Sequence, residues 1–121
     1  MITPWGQSQH QHKITDGVYE VDTAGHGGIL VSTAAATRLL SPAAIAKGWK
    51  WNIWVAYEED CDWALFAYEQ PALYTAAHDA QPGRYKQYTA EEIKQLARDC
   101  LSRWHTDYLT QVEGEGKEYI S

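Results

Sequence analysis

Three glycines crowd one histidine in Thr23-Ala24-Gly25-His26-Gly27-Gly28-Ile29-Leu30-Val31-Ser32, and no other stretch limits the backbone as tightly. Glycine permits positive φ and close approach by another chain, while Ile29-Leu30-Val31 is short and β-branched enough to be a buried strand. Upstream, Asp16-Gly17 is a turn signal. Val18 to Asp22 then alternates as a strand does, with Val18 and Glu20 on one face and Tyr19 and Val21 on the other. The two runs predict a β-hairpin closed by a glycine-rich, bulged end. A phosphate cradle is disfavoured: the GxGxxG spacing and the Gly-Lys-Ser/Thr ending are missing, and a strand follows where such cradles precede a helix.

The rest of the chain supplies helices and more sheet. Ser32 or Thr33 can cap an alanine-rich helix over 34–40, and Ser41-Pro42 repeats the start signal for Ala43 to Lys47, which Gly48 stops. Period-two alternation from Trp49 through Trp51, Ile53, Val55 and Tyr57 predicts a central strand over 49–57, with Trp54 on its opposite face. For 63–69, acids ahead of an apolar run favour a helix ended by Pro71, with a strand as the competing reading. Residues 71–88, with Pro71, Pro82-Gly83 and three tyrosines, read as a long loop containing at most a turn of helix at Leu73 to His78. Thr89-Ala90-Glu91-Glu92 is a capping box. It opens a helix over 90–109 with Ile93, Leu96, Ala97, Cys100, Leu101, Trp104 and Tyr108 along one face. Residues 1–16 read as an extended N-terminal arm anchored by Trp5, and 113–121 as a frayed tail.

The fold class is therefore α+β: a small antiparallel sheet from 18–22, 28–32 and 49–57 with one long C-terminal helix and shorter helices packed on it. A length of 121 residues suits a single domain over 1–121. No apolar run approaches the roughly 20 residues that cross a bilayer, and the first residues lack the basic and apolar regions of a secretory signal. A cytoplasmic protein in a bacterial host is expected. Cys61 and Cys100 are expected to be buried thiols, because neither has CxxC or Cys-His ligand spacing.

Sixteen acidic against ten basic residues give a formal charge of −6. That balance disfavours direct nucleic-acid binding and suits a basic partner. Glu58, Glu59, Asp60 and Asp62 concentrate the charge. Clustered carboxylates offer arginine the bidentate acceptors that a phosphate backbone does, and Trp63 beside them adds the polar-handled aromatic surface that interfaces favour. Capping of the following helix is the structural alternative for these acids; a divalent cation held with His26 is another. His10 and His12 share a face if their segment is a strand, a known metal spacing, but no third ligand is evident. A small hydrolase or transferase would centre on His26, the 58–62 acids and Cys61, although no nucleophile signature is present. No metal or cofactor is expected.

Thr3-Pro4-Trp5-Gly6, Thr23-x-Gly25-His26-Gly27-Gly28-Ile29 and Glu58-Glu59-Asp60-Cys61-Asp62-Trp63-Ala64 together resemble three consecutive motifs of an uncharacterised small domain family of phage, plasmid and other mobile-element proteins. The resemblance covers roughly residues 3–70 and carries no assigned reaction. By analogy it implies an inhibitor of host defence, such as an anti-CRISPR protein. The expected function is thus a non-enzymatic binding protein, monomer or homodimer. It would use Glu58, Glu59, Asp60, Asp62, His26 and Trp63 against a host protein or ribonucleoprotein complex with a basic surface, without touching nucleic acid or membrane itself. A structural homo-oligomer is the remaining alternative.

Overall fold

The computed structural model describes residues 1–79 and 87–114. Two short strands, β1 (Ile2–Thr3) and β2 (Gly6–Gln7), form a ribbon of their own; β3 (His10–Thr15), β4 (Val18–Asp22), β5 (Gly27–Ser32), β6 (Trp49–Trp51) and β7 (Trp54–Glu58) form an antiparallel sheet in the order β3-β4-β5-β7-β6. The helices are α1 (Thr33–Leu39), α2 (Pro42–Lys47), α3 (Trp63–Glu69), α4 (Pro71–Asp79), α5 (Ala90–Trp104) and α6 (Thr106–Leu109), followed by a π-turn over Thr110–Gly114. This is the α+β architecture expected, with α5 the longest helix.

Local signals account for most boundaries. Ser32 and Ser41 cap α1 and α2, each accepting a 3.1 Å bond from the amide three residues on. Thr89 and Glu92 form the reciprocal capping box that starts α5. Gly17 turns β3 into β4 at φ +77, a conformation that glycine adopts without strain.

Four expectations are corrected. Residues 10–15 are not part of an arm but the edge strand β3, paired along β4 from His10↔Asp22 to Thr15↔Val18. The run 49–57 is not one strand but two, turned at Asn52-Ile53, where Asn52 takes φ +55. Asparagine tolerates that left-handed position better than other non-glycine residues. The turn pairs Trp51 with Trp54, so these two indoles share a face instead of opposing. Residues 71–79 form the helix α4 rather than a loop, with Pro71 at its start, where a missing N–H costs nothing. The 90–109 helix breaks at His105 (φ −138, ψ 53), and its apolar face is narrower than its spacing suggests: Leu96 and Trp104 are exposed. The helix at 63–69 is present as α3. The remainder of the expected loop, at 80–86, and the expected frayed tail beyond Gly114 lie outside the described residues.

The helices cover one face of the sheet, burying Val18, Ile29, Val31, Val55 and Tyr57 with Leu65, Phe66, Leu101 and Tyr108. On the other face Val21, Leu30 and Ala56 are buried under Trp5, Tyr19 and Trp54. Trp5 is the anchor its setting predicted. Its indole lies over Gly28, where a Cβ would stand 2.7 Å from the ring and also strike the Tyr57 carbonyl.

Glu69 ties the helices together. Its carboxylate accepts from the Ser41 amide (2.7 Å), the Ser41 hydroxyl (2.6 Å) and the Tyr108 hydroxyl, joining α2, α3 and α6. Burial first, and Glu69 second, push the Tyr57 and Tyr108 phenols upward.

Gly28→Ala should cost roughly 1–3 kcal/mol, because the added methyl meets a backbone oxygen and a packed ring with no free space. Urea denaturation of Gly28→Ala, Trp5→Ala and the double variant tests this, and a double variant equal to the sum of the singles would mean that the ring is not what crowds the glycine. Glu69→Ala should cost about 2–4 kcal/mol, since three donors lose their acceptor at once; a Tm within a degree or two of wild type would remove the carboxylate from that role.

Candidate functional site

The candidate site forms where β4, β5 and β7 end together. In the β4–β5 loop, Thr23 donates its hydroxyl to the His26 carbonyl (2.6 Å), and its Oγ1 accepts from the His26 amide (3.1 Å). The Thr23 amide adds a second bond to the same carbonyl. The loop is tied by side chain as well as backbone, which fixes the place of His26. None of Gly25, Gly27 and Gly28 takes a positive φ. Gly27 and Gly28 serve close approach: a Cβ on Gly27 would collide with the Val21 carbonyl, as one on Gly28 would with that of Tyr57, whereas Gly25 stands in open space.

Gly28 pairs with Glu58 in the β5–β7 register, and the Glu59 amide donates to the Gly27 carbonyl at 3.0 Å. This brings the two motifs together. Donor atoms of His26, Glu58 and Asp60 lie within 4.8 Å of one another, with His26 and Asp60 exposed.

The acidic run does not form one patch, however. Successive side chains of an extended segment leave on opposite faces, so Glu58 and Asp60 go to His26 while Glu59 goes to the helix-covered side. There it lines a cleft of about 530 Å³ with His10, Glu20, Asp22, Trp63 and Tyr74. Asp62 turns inward instead: its Oδ1 lies 2.7 Å from His105 Nε2, and both side chains are mostly buried. Nor does Asp62 cap α3, where it occupies the N-cap position without a side-chain bond to the helix. Capping of α3 is therefore not the role of Asp62.

The cleft is framed by polar and aromatic groups of both signs of preference. His10 Nδ1 lies 3.5 Å from Asp22 Oδ2, and His78 Nε2 lies 3.4 Å from Glu20 Oε2. His78 stacks on Tyr74 with ring centroids 4.3 Å apart, and Tyr74 packs on Trp63 at 5.6 Å. Among the described residues, no lysine or arginine lines it. His10 and His12 do project to one face, as HxH spacing on a strand requires, opposite Asp22 and Glu20.

A second group sits beside the first. Cys61 Sγ lies 3.4 Å from Asp62 Oδ1, and donor atoms of Cys61, Asp62 and His105 all lie within 4.8 Å of each other. The Cys100 thiol approaches the Cys61 carbonyl at 3.6 Å. Both cysteines are free, Cys100 buried and Cys61 half-buried. Burial, with the Asp62 carboxylate beside it, pushes the Cys61 thiol from 9.0 up to about 11. At neutral pH Cys61 is a thiol rather than the thiolate that nucleophilic catalysis needs, and the histidine grouped with it is His105, while His26 is grouped with Glu58 and Asp60.

Sequence reasoning missed Glu20, Asp22, Tyr74, His78 and His105. The i, i+4 spacing of Tyr74 and His78 was a usable signal once 71–79 is read as a helix. His105 carried none, because its place depends on a helix break that no proline or glycine announces.

No helix is long and apolar enough to cross a membrane among the described residues. No curated protein and no solved structure matches the chain. The model of one family, the domain of unknown function DUF7007, matches residues 1–119. That span takes in all three of the motifs quoted above, together with α4, α5 and α6, and the chain belongs to the DUF7007 family.

Proposed function

We propose that the protein is a non-enzymatic binding module whose acidic cleft, at the end of β4, β5 and β7, receives a cationic surface of a protein partner. The observation that carries this reading is the lining of the cleft: Glu20, Asp22 and Glu59 stand with Trp63 and Tyr74, and no lysine or arginine lines it among the described residues. Carboxylates accept from a guanidinium in bidentate fashion, and an indole or phenol face attracts the same cation. A volume of about 530 Å³ has room for one or two arginine or lysine side chains. Glu58, Asp60 and His26 add a second acidic group on the opposite face of the sheet end.

Such a surface competes with phosphates for a basic groove. Together with the motif resemblance to mobile-element proteins, this makes inhibition of a nucleic-acid-binding defence complex, of the anti-CRISPR kind, the finer proposal. A bacterial host cytoplasm would be its setting. The rival small-hydrolase reading is supported less, since Cys61 is protonated at neutral pH and grouped with His105 rather than His26.

The test is capture of host proteins at low and high salt by wild type and by the variant Asp22→Asn, Glu58→Gln, Glu59→Gln, Asp60→Asn. The partner should be basic, its binding should fall steeply with salt, and the fourfold variant should bind at least about tenfold more weakly, some 1.4 kcal/mol. Equal binding by the variant, or affinity indifferent to salt, would sink the mechanism.

A further inference from the structure

We infer that Cys61, Asp62 and His105 form a binding site for a divalent transition metal of the zinc class. The site is separate from the acidic cleft. The donors are one thiol, one carboxylate and one imidazole, three ligand types that Zn²⁺ accepts together. Asp62 Oδ1 is their apex, 2.7 Å from His105 Nε2 and 3.4 Å from Cys61 Sγ. In a tetrahedral zinc site, bond lengths of about 2.0 Å to N and O and about 2.3 Å to S place neighbouring donors about 3.2–3.6 Å apart. The sulfur already stands at that separation. The carboxylate and imidazole must part by roughly half an ångström to admit the ion, and the sulfur lies within 4.8 Å of the imidazole donor atom, close enough to complete the set.

Three features distinguish this group from a chance ion pair. The donors come from two distant parts of the chain, the β7–α3 junction and the α5–α6 junction, 43 residues apart. The helix face predicted over 90–109 is interrupted at His105 itself, without a proline or glycine to cause it, and the ring is turned onto Asp62. The side chains of Asp62 and His105 are 20% and 16% exposed, so the group is shielded without being sealed from solvent. Three protein ligands with one open position are the arrangement in which zinc retains a water. Binding replaces the thiol proton of Cys61 with a metal–sulfur bond and releases that proton to solvent. By contrast, His26, Glu58 and Asp60 are more exposed and offer no sulfur, which makes them the natural control.

Cobalt(II) titration of the whole chain, read by visible and near-ultraviolet absorption, tests the site. Wild type should take up a single Co²⁺ per chain, with a thiolate-to-cobalt charge-transfer band and the strong visible bands of tetrahedral cobalt, and Zn²⁺ should abolish both. Cys61→Ser and His105→Gln should lose the thiolate band while keeping a wild-type circular dichroism spectrum. Cys100→Ser and the triple variant His26→Ala, Glu58→Gln, Asp60→Asn should keep it. Zn²⁺ should raise the Tm of wild type and not that of Cys61→Ser. Absence of a thiolate band in wild type overturns the inference, as does its survival in Cys61→Ser or its loss in the triple variant. Because none of the acids neutralised for the partner test is a ligand here, the two proposals fail separately.

Discussion

Five residue pairs, from Gly28↔Glu58 to Ser32↔Trp54, join β5 to β7 at the centre of the sheet. Both strands are almost wholly buried, one face under the helices and the other under Trp5, Tyr19 and Trp54. A one-residue slip in this pairing would exchange the two faces of β7, turning Val55 and Tyr57 towards Trp5 and Ala56 towards the helices. Glycine at 28 excludes such a slip from another direction. Trp5 fits down onto the sheet only where a side chain is missing, and the Tyr57 carbonyl lies against the same bare Cα. The register, the N-terminal ribbon and the position of residues 58–62 are thus settled by one contact.

From that register the placing of residues 58–60 follows by parity. Glu58 ends β7 on the Trp5 side, where His26 follows the same alternation out of β5. Glu59 points to the helix side and lines the cleft with Trp63 and the β4 carboxylates Glu20 and Asp22. The chain then turns into α3, and Asp62 is carried round to the C-terminal end of α5. A string of acids that reads as one feature thereby becomes three: an exposed rim, a cleft wall and an internal pair. The strand period, applied past the end of the strand, separates the first two, and the turn into α3 sets Asp62 apart.

What the sequence makes legible is what depends on neighbours a few residues apart. The capping box at Thr89, the Ser41-Pro42 start, the hairpin ending in Gly27-Gly28 and the helix at 63–69 are all settled by local hydrogen bonds and sterics, and all are present. The meeting of His26 with Glu58 and Asp60 was open at the sequence level and is answered by strand pairing. Three features were hidden because distant partners decide them. The two-residue turn at Asn52-Ile53 puts Trp51 and Trp54 on one face, yet the apolar residues at 49, 51, 53, 55 and 57 go on alternating along the chain, so periodicity alone reads straight through it. β3 is an edge strand with only one paired side, and its polar, histidine-rich composition carries no core pattern. The break at His105 is compensated by Asp62, and the following turn by Glu69, which receives Tyr108.

The carboxylates fall into two energetic classes, and the difference bears on function. Glu69 and Asp62 are enclosed and matched by donors from other elements, so their charge is offset locally and they serve the fold. Glu58, Glu59 and Asp60 form no ion pair with a lysine or arginine among the described residues, yet three consecutive positions carry the same charge at one end of the sheet. Like charges at this spacing repel, and in a chain already at −6 that repulsion lowers the stability of the folded state. Neutral residues of similar size would satisfy the same backbone geometry, since the Glu59 amide and the β7 ladder, rather than the carboxylates, hold the segment in place. Packing therefore gives no reason for three acids here. The proposed cationic partner would turn that repulsion into attraction.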